Sequence, residues 1–168
     1  MQTRDEDLLK FRLGQNIYAV AHVYQGNTYL QVREYKINPY GNMYPTKTGI
    51  AMLSSRFAIL HKHLVQITKA AIDVRRGKPD ANIDVHLGGG FRVRVSYPHI
   101  VVQMRKYYLP DGTKKEQPTK FGITLTFKQW AKLTEAVEKC KALIPAFKDA
   151  KPCYEGPDHP ADCQECNP

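Results

Sequence analysis

No apolar run in the chain approaches the ~20 residues a helix needs to cross a bilayer. The opening MQTRDEDLLK also has no apolar core of the kind a signal peptide carries. The expectation is a protein made and kept inside a cell, without a membrane partner. Cysteine is nearly absent from the body of the chain: three of the four, Cys153, Cys163 and Cys166, fall in the last sixteen residues. That clustering argues against a disulfide framework running through the fold. Acidic residues are scarce as well, and the net charge is +9. Residues 1–80 and 81–150 each carry twelve Lys or Arg against six Asp or Glu, whereas 151–168 carry one Lys against four acids. Two equally basic stretches and a short acidic tail suit a body that attracts a polyanion.

Signs of catalysis are missing too. No nucleophile–base pair or pair of carboxylates stands out. Leu87-Gly88-Gly89-Gly90 lacks the lysine of a P-loop and precedes a strand pattern, so it reads as a bend at a strand entry, at the position of Gly14. His61-Lys62-His63 lies on a helical stretch, where residues two apart point to different sides, which argues against a metal site. Enzymatic activity is the losing reading.

What the chain does contain is an echo of itself. PTKTGIAML at 45–53 returns as PTKFGITLT at 118–126, and YLQVREYKI at 29–37 returns as VVQMRKYYL at 101–109. Gln31, Arg33 and Tyr35 match Gln103, Arg105 and Tyr107 at an offset of seventy-two, while FRLGQ at 11–15 faces VHLGG at 85–89 at seventy-four. The drift places a two-residue deletion between them, most simply in a hairpin loop. An internal duplication of about seventy residues follows.

Within the first unit, Ile17, Ala19, Ala21 and Val23 alternate with Tyr18, Val20, His22 and Tyr24, the period of a half-buried strand. Gln25-Gly26-Asn27 is a turn, after which Leu30 and Val32 alternate with Tyr29, Gln31, Arg33 and Tyr35. Short strands around Met43–Lys47 and Gly49–Met52 complete four. The period then changes: Phe57, Leu60, Leu64, Ile67, Ala71 and Val74 make a helical stripe, with Ser54 as the expected N-cap. In the second unit Phe91, Val93 and Val95 form one strand pattern and Val102 and Met104 another. Thr126 with Gln129 makes a capping box, and Trp130, Leu133, Val137, Cys140, Ile144 and Phe147 continue the stripe, although Pro145 is expected to end or bend the helix. The expected organisation is a leader at 1–10, a first ββββα repeat at 11–76, a linker at 77–84, a second repeat at 85–148 and an acidic Cys-rich tail at 149–168. A unit of ~70 residues makes a marginal core alone, so the two helix stripes are expected to pack on each other as an intramolecular pseudo-dimer. Further oligomerisation is left open.

FRLGQNIYAVAHVYQGNTYLQVREY, the turn after it, the Pro-x-Lys-x-Gly-Ile step and the amphipathic helix together resemble the positive cofactor four family of transcriptional coactivators. GITLTFKQW in the second unit is the closer match at the helix start. The tandem plan is similar to that of the Whirly and Pur-alpha proteins. The resemblance implies an α+β fold, a pseudo-twofold single-stranded-DNA-binding domain with two curved antiparallel sheets around a central helix pair. It also implies a nuclear, coactivator-like role with the transcription machinery as a partner. Carried over by position, the strand-end arginine falls on Arg33 and Arg105. The stacking aromatic falls on Tyr108 but on Lys36 in the first unit, the hairpin aromatic on Tyr24 and approximately Tyr97, and the basic residue before Gly-Ile on Lys47 and Lys120. The family's Ser-rich acidic leader is absent, and Gln25 and Asn27 stand where its hairpin is basic.

Single-strand binding needs cations for phosphates and flat rings for unstacked bases. The polar hairpin faces supply both, through Tyr18, Tyr24, Arg33 and Tyr35 in one unit and Arg92, Arg94, Arg105 and Tyr107 in the other. The competing view makes these tyrosines cross-strand packing and the arginines solvated surface. The leading reading is non-enzymatic single-stranded-DNA binding with little sequence specificity, in transcription, replication or repair. RNA is not distinguished from DNA, and a protein-binding adaptor with the same fold is the alternative function. The tail spaces Cys153, His159, Cys163 and Cys166 as Cys-x5-His-x3-Cys-x2-Cys, four ligands suited to tetrahedral zinc, against the reading of a disordered acidic segment.

Overall fold

Two apolar stripes on helices and two sets of alternating strands are resolved here by exchange between the halves. The computed structural model describes residues 6–156 and 159–166. Strands β1 (Glu6–Gly14), β2 (Ile17–Tyr24), β3 (Asn27–Ile37) and β4 (Met43–Leu53) form one antiparallel sheet in the order β1-β2-β3-β4, followed by helix α1 (Ser54–Arg75). Strands β5 (Asn82–Gly88), β6 (Phe91–Ser96), β7 (Val101–Tyr108) and β8 (Gln117–Thr126) form a second sheet in the same order, followed by α2 (Phe127–Leu143) and the single turn α3 (Pro145–Lys148). The α+β plan of two ββββα units holds.

Register accounts for the offsets in the sequence. Ala19 pairs with Val32 and Val93 with Met104, so the two missing residues lie in the β6–β7 hairpin. The irregularity between Arg12 and Gly14 recurs between His86 and Gly88, and that between Arg33 and Tyr35 recurs between Arg105 and Tyr107.

Each sheet turns one face inward. Ala19, Ala21, Leu30, Val32, Ile50 and Met52 of the first, with Val85, Val93, Val95, Met104, Ile123 and Leu125 of the second, share one core with both helix stripes. The helices cross over: α1 lies chiefly against β5 and β6, and α2 against β1. Trp130 Nε1 donates to Thr68 Oγ1 at 2.9 Å, fixing α2 to α1 without leaving the buried indole N–H unpaired. Phe57 and Phe147 stack with centroids 4.2 Å apart. The edge strands β4 and β8 also lie against each other.

Several expectations need correction. β1 begins at Glu6, inside the stretch read as a leader, because Leu9, Phe11 and Leu13 pack on the core. β5 likewise begins at Asn82, inside the expected linker. Residues 43–53 form one strand instead of two short ones; β4 is an edge strand, where Pro45 costs no ladder bond that matters. Ser54 is the first helical residue of α1, whose N-cap is Leu53 with no side-chain bond. The capping box of α2 is present as expected, with Gln129 N–H donating to Thr126 Oγ1 at 3.2 Å and Thr126 N–H to Gln129 Oε1 at 2.9 Å. The tail is docked on the body: Pro152 is buried, and Lys62 of α1 meets the Tyr154 hydroxyl at 3.3 Å and Glu155 at 3.7 Å. No helix among the described residues is long and apolar enough to cross a membrane.

Candidate nucleic-acid interface

The repeated Pro-Thr-Lys-x-Gly-Ile has a structural cause. Arg33 Nη1 donates to the Thr46 carbonyl at 3.0 Å, and Arg105 Nη1 to the Thr119 carbonyl at 2.9 Å. Thr46 Oγ1 in turn donates to the Glu34 carbonyl and Thr119 Oγ1 to the Lys106 carbonyl. These bonds satisfy the backbone where the ladder is interrupted between Arg33 and Tyr35, or Arg105 and Tyr107. The glycine that follows lets the arginine lie across the strand: a Cβ at Gly49 would meet the Arg33 backbone and Cβ, and one at Gly122 the Arg105 side chain. Each half therefore fixes one strand-end guanidinium in the same bracket.

The other cations divide by partner. Arg92 meets Glu116 at 3.0 Å and Asp84 at 3.4 Å, and Arg94 meets Asp84 at 2.9 Å. Their charge is largely compensated within the second unit, so the free phosphate partners expected of Arg92 and Arg94 are not what the structure offers. Arg33, Lys36, Lys47, Arg105, Lys106 and Lys120 have no carboxylate within ion-pair distance among the described residues.

The aromatics divide by exposure. Tyr35 is 9% and Tyr107 8% exposed. The Tyr35 ring packs edge-on against Tyr18 at 5.2 Å beneath Lys10, and Tyr107 lies 4.1 Å under the Arg94 guanidinium. Neither offers the open ring face expected of it, because cross-strand neighbours already cover it. Burial also raises the Tyr35 hydroxyl above its usual pKa of 10.0. Tyr24, Tyr97 and Tyr108 are exposed, the last at 52%. Tyr24 and Tyr29 line a shallow hollow of about 260 Å³ on the face turned from the helices, and Arg105 with Tyr107 lines one of about 320 Å³ on the second sheet.

A larger cleft lies where β4 approaches the second sheet. It holds about 340 Å³ and is lined by Arg33, Lys47 and Gly49 from the first half and by Phe91, Lys106 and Phe121 from the second. Phe121 is 49% exposed, and Lys106 Nζ sits 5.7 Å from the Phe91 ring centroid. Sequence reasoning missed Phe91, Lys106 and Phe121: Phe91 reads as a core alternation, its pairing with Lys106 comes from the β6–β7 register, and only the meeting of the halves sets the three beside Arg33 and Lys47. The one available signal was the x of Pro-Thr-Lys-x-Gly-Ile, Thr48 in one unit and Phe121 in the other. At the pseudo-equivalent positions of Phe91, Lys106 and Phe121 the first half has Ile17, Glu34 and Thr48. The twofold-related place therefore lacks these rings and this cation.

In the tail, the ligand atoms of Cys153, His159, Cys163 and Cys166 all lie within 4.8 Å of one another. The four can hold a metal ion.

The family described as Transcriptional Coactivator p15 (PC4) matches residues 99–136. That stretch carries Arg105, Tyr107, Tyr108, Lys120, Phe121 and the capping box of α2. No curated protein and no solved structure matches the chain.

Proposed function

We propose that the protein is a non-enzymatic single-stranded-DNA-binding protein of coactivator-like type, acting in the nucleus on melted DNA with little sequence preference. The observation that carries this is the cleft between β4 and the second sheet, where Arg33, Lys47 and Lys106, cations without carboxylate partners among the described residues, stand beside the rings of Phe91 and Phe121. Cations replace counterions on phosphates and rings receive unstacked bases, and both are needed for a single strand. The bracketed Arg33 and Arg105, the exposed Tyr24, Tyr97 and Tyr108, and Lys36 and Lys120 extend the path over both sheets. The match to a coactivator family over 99–136 supports the same reading. The repeat of one ββββα plan, over Glu6–Arg75 and again over Asn82–Leu143, supports a tandem origin of the two units. The tail tetrad is proposed to take a structural zinc ion, since three thiols and an imidazole suit zinc over harder cations.

Anisotropy of a labelled oligonucleotide, with single-stranded DNA, duplex and RNA as competitors at two salt concentrations, tests the function. Single-stranded DNA is expected to compete better than duplex. Equal competition by duplex would falsify the cleft model, and preferential competition by RNA would move the function to RNA binding.

A further inference from the structure

The two turns that open the second strand of each sheet are held differently. At Gly14 the carbonyl accepts from Nε2 of Gln129, the third residue of α2. The pseudo-equivalent of Gln129 in α1 is Arg56, which faces the Gly88–Gly90 turn but does not bond it directly. Between them stands Glu165 of the tail. Arg56 Nε donates to Glu165 Oε2 at 2.9 Å and its Nη2 to Oε1, while Gly89 N–H donates to the Glu165 carbonyl at 2.8 Å. Arg56 also lies 5.0 Å over the ring of Phe91, one wall of the cleft.

Glu165 is not free to take this place by itself, for it sits inside the terminal Cys163-x2-Cys166 step. Cys153 Sγ is 3.3 Å and His159 Nε2 3.2 Å from Cys166 Sγ. Ligands held ~2.0–2.3 Å from one tetrahedral zinc ion lie roughly 3.4–3.8 Å apart, so the four atoms are gathered to about the size of a coordination shell. We infer that zinc at Cys153, His159, Cys163 and Cys166 turns the tail into a clasp, presenting Glu165 between α1 of the first unit and the Gly88–Gly90 turn of the second. The clasp supplies the contact that the first helix lacks and Gln129 makes for the second. It rests on the reading of the tetrad as a zinc site and is independent of nucleic-acid binding.

The full chain is titrated with cobalt(II) as the probe and then with zinc(II), and amide exchange is followed by NMR with zinc and after chelation. The expected results are a visible spectrum of a tetrahedral thiolate site saturating at about one equivalent, and zinc slowing exchange at Gly89 by about tenfold or more. Glu165→Ala should still bind cobalt, while the rise in thermal midpoint that zinc gives the unaltered chain shrinks. Metal binding with unchanged exchange at Gly89 overturns the clasp and leaves the zinc site standing. Failure to take up either metal, with Cys153 and Cys166 found as a disulfide or as free thiols, overturns both.

Discussion

At Gly49 and Gly122 a methyl group has nowhere to go, since the nearest atoms belong to the adjacent strand's backbone and to the base of an arginine side chain. Gly49→Ala and Gly122→Ala should each lower stability by about 1–3 kcal/mol, the usual penalty for forcing volume into a packed site. Urea unfolding measures this, and an unchanged midpoint would show that the bracket yields. In the cleft, Phe121→Ala should weaken single-strand binding by ~1–3 kcal/mol with the salt dependence kept, because a stacking face is lost and no charge is. Lys106→Ala should instead flatten the plot of log K against log salt by about 0.7 or less. His86 answers to pH. Burial first, and then the nearby Arg92, push its imidazole below the usual 6.5, and its Nε2 accepts from Gly90 N–H at 3.2 Å. As pH falls the unfolded chain takes the proton before the folded one, so this contribution is complete above about 6.5 and lost below it, toward the depressed folded value. Unfolding midpoints from about pH 7.5 to 5.5 should therefore fall more steeply for the unaltered protein than for His86→Gln. Parallel profiles would mean that His86 titrates alike in both states.

The two helices differ at their starts and not in their stripes. Thr126→Ala removes the cap of α2 and should cost about 1 kcal/mol by chemical denaturation, whereas Ser54→Ala should change little, because Ser54 makes no cap bond. Both stripes, the capping box and the repeated turn were legible because local spacing determines them: every apolar residue expected on α1 and α2 is buried. β1 was not legible, since the charged residues of its first half mask the alternation of Leu9, Phe11 and Leu13. The unity of β4 was hidden by Pro45 and Gly49, which read as breaks but sit where an edge strand and a crossing arginine tolerate or require them. The proposed binding path was half legible. Arg33 and Arg105 could be placed from the echo, but a strand's polar face does not tell whether its tyrosines are free. Tyr35 and Tyr107 turn out to be roofed by Lys10 and Arg94, residues distant in sequence. Nor does any spacing connect Arg33 to Phe121; they line one cleft only after the halves meet.

Because each helix packs on the other unit's sheet, neither unit closes its own core. Residues 1–76 alone should give no folded monomer by sedimentation and circular dichroism, while the two pieces made by cutting at Gly77–Pro79 should associate when mixed. A soluble, folded monomer from the first piece would contradict the exchange. In the intact chain, with an assumed four to six phosphate contacts, log K for single strands should fall against log salt with a slope of roughly −3 to −4.

Joining the two units in one chain has also released them from having to be alike. Two identical copies related by a twofold axis present the same surface to a strand running in either direction. Here one approach meets Phe91, Lys106 and Phe121, and the twofold-related approach meets Ile17, Glu34 and Thr48. The proposed binding surface thus has a heading, and a strand laid along it 5′ to 3′ would not meet the groups in the order a reversed strand would. Oligonucleotides carrying a quencher at one end or the other, read against a fluorophore near Tyr108, should report a single preferred polarity, and Phe121→Thr should erode that preference before it abolishes binding.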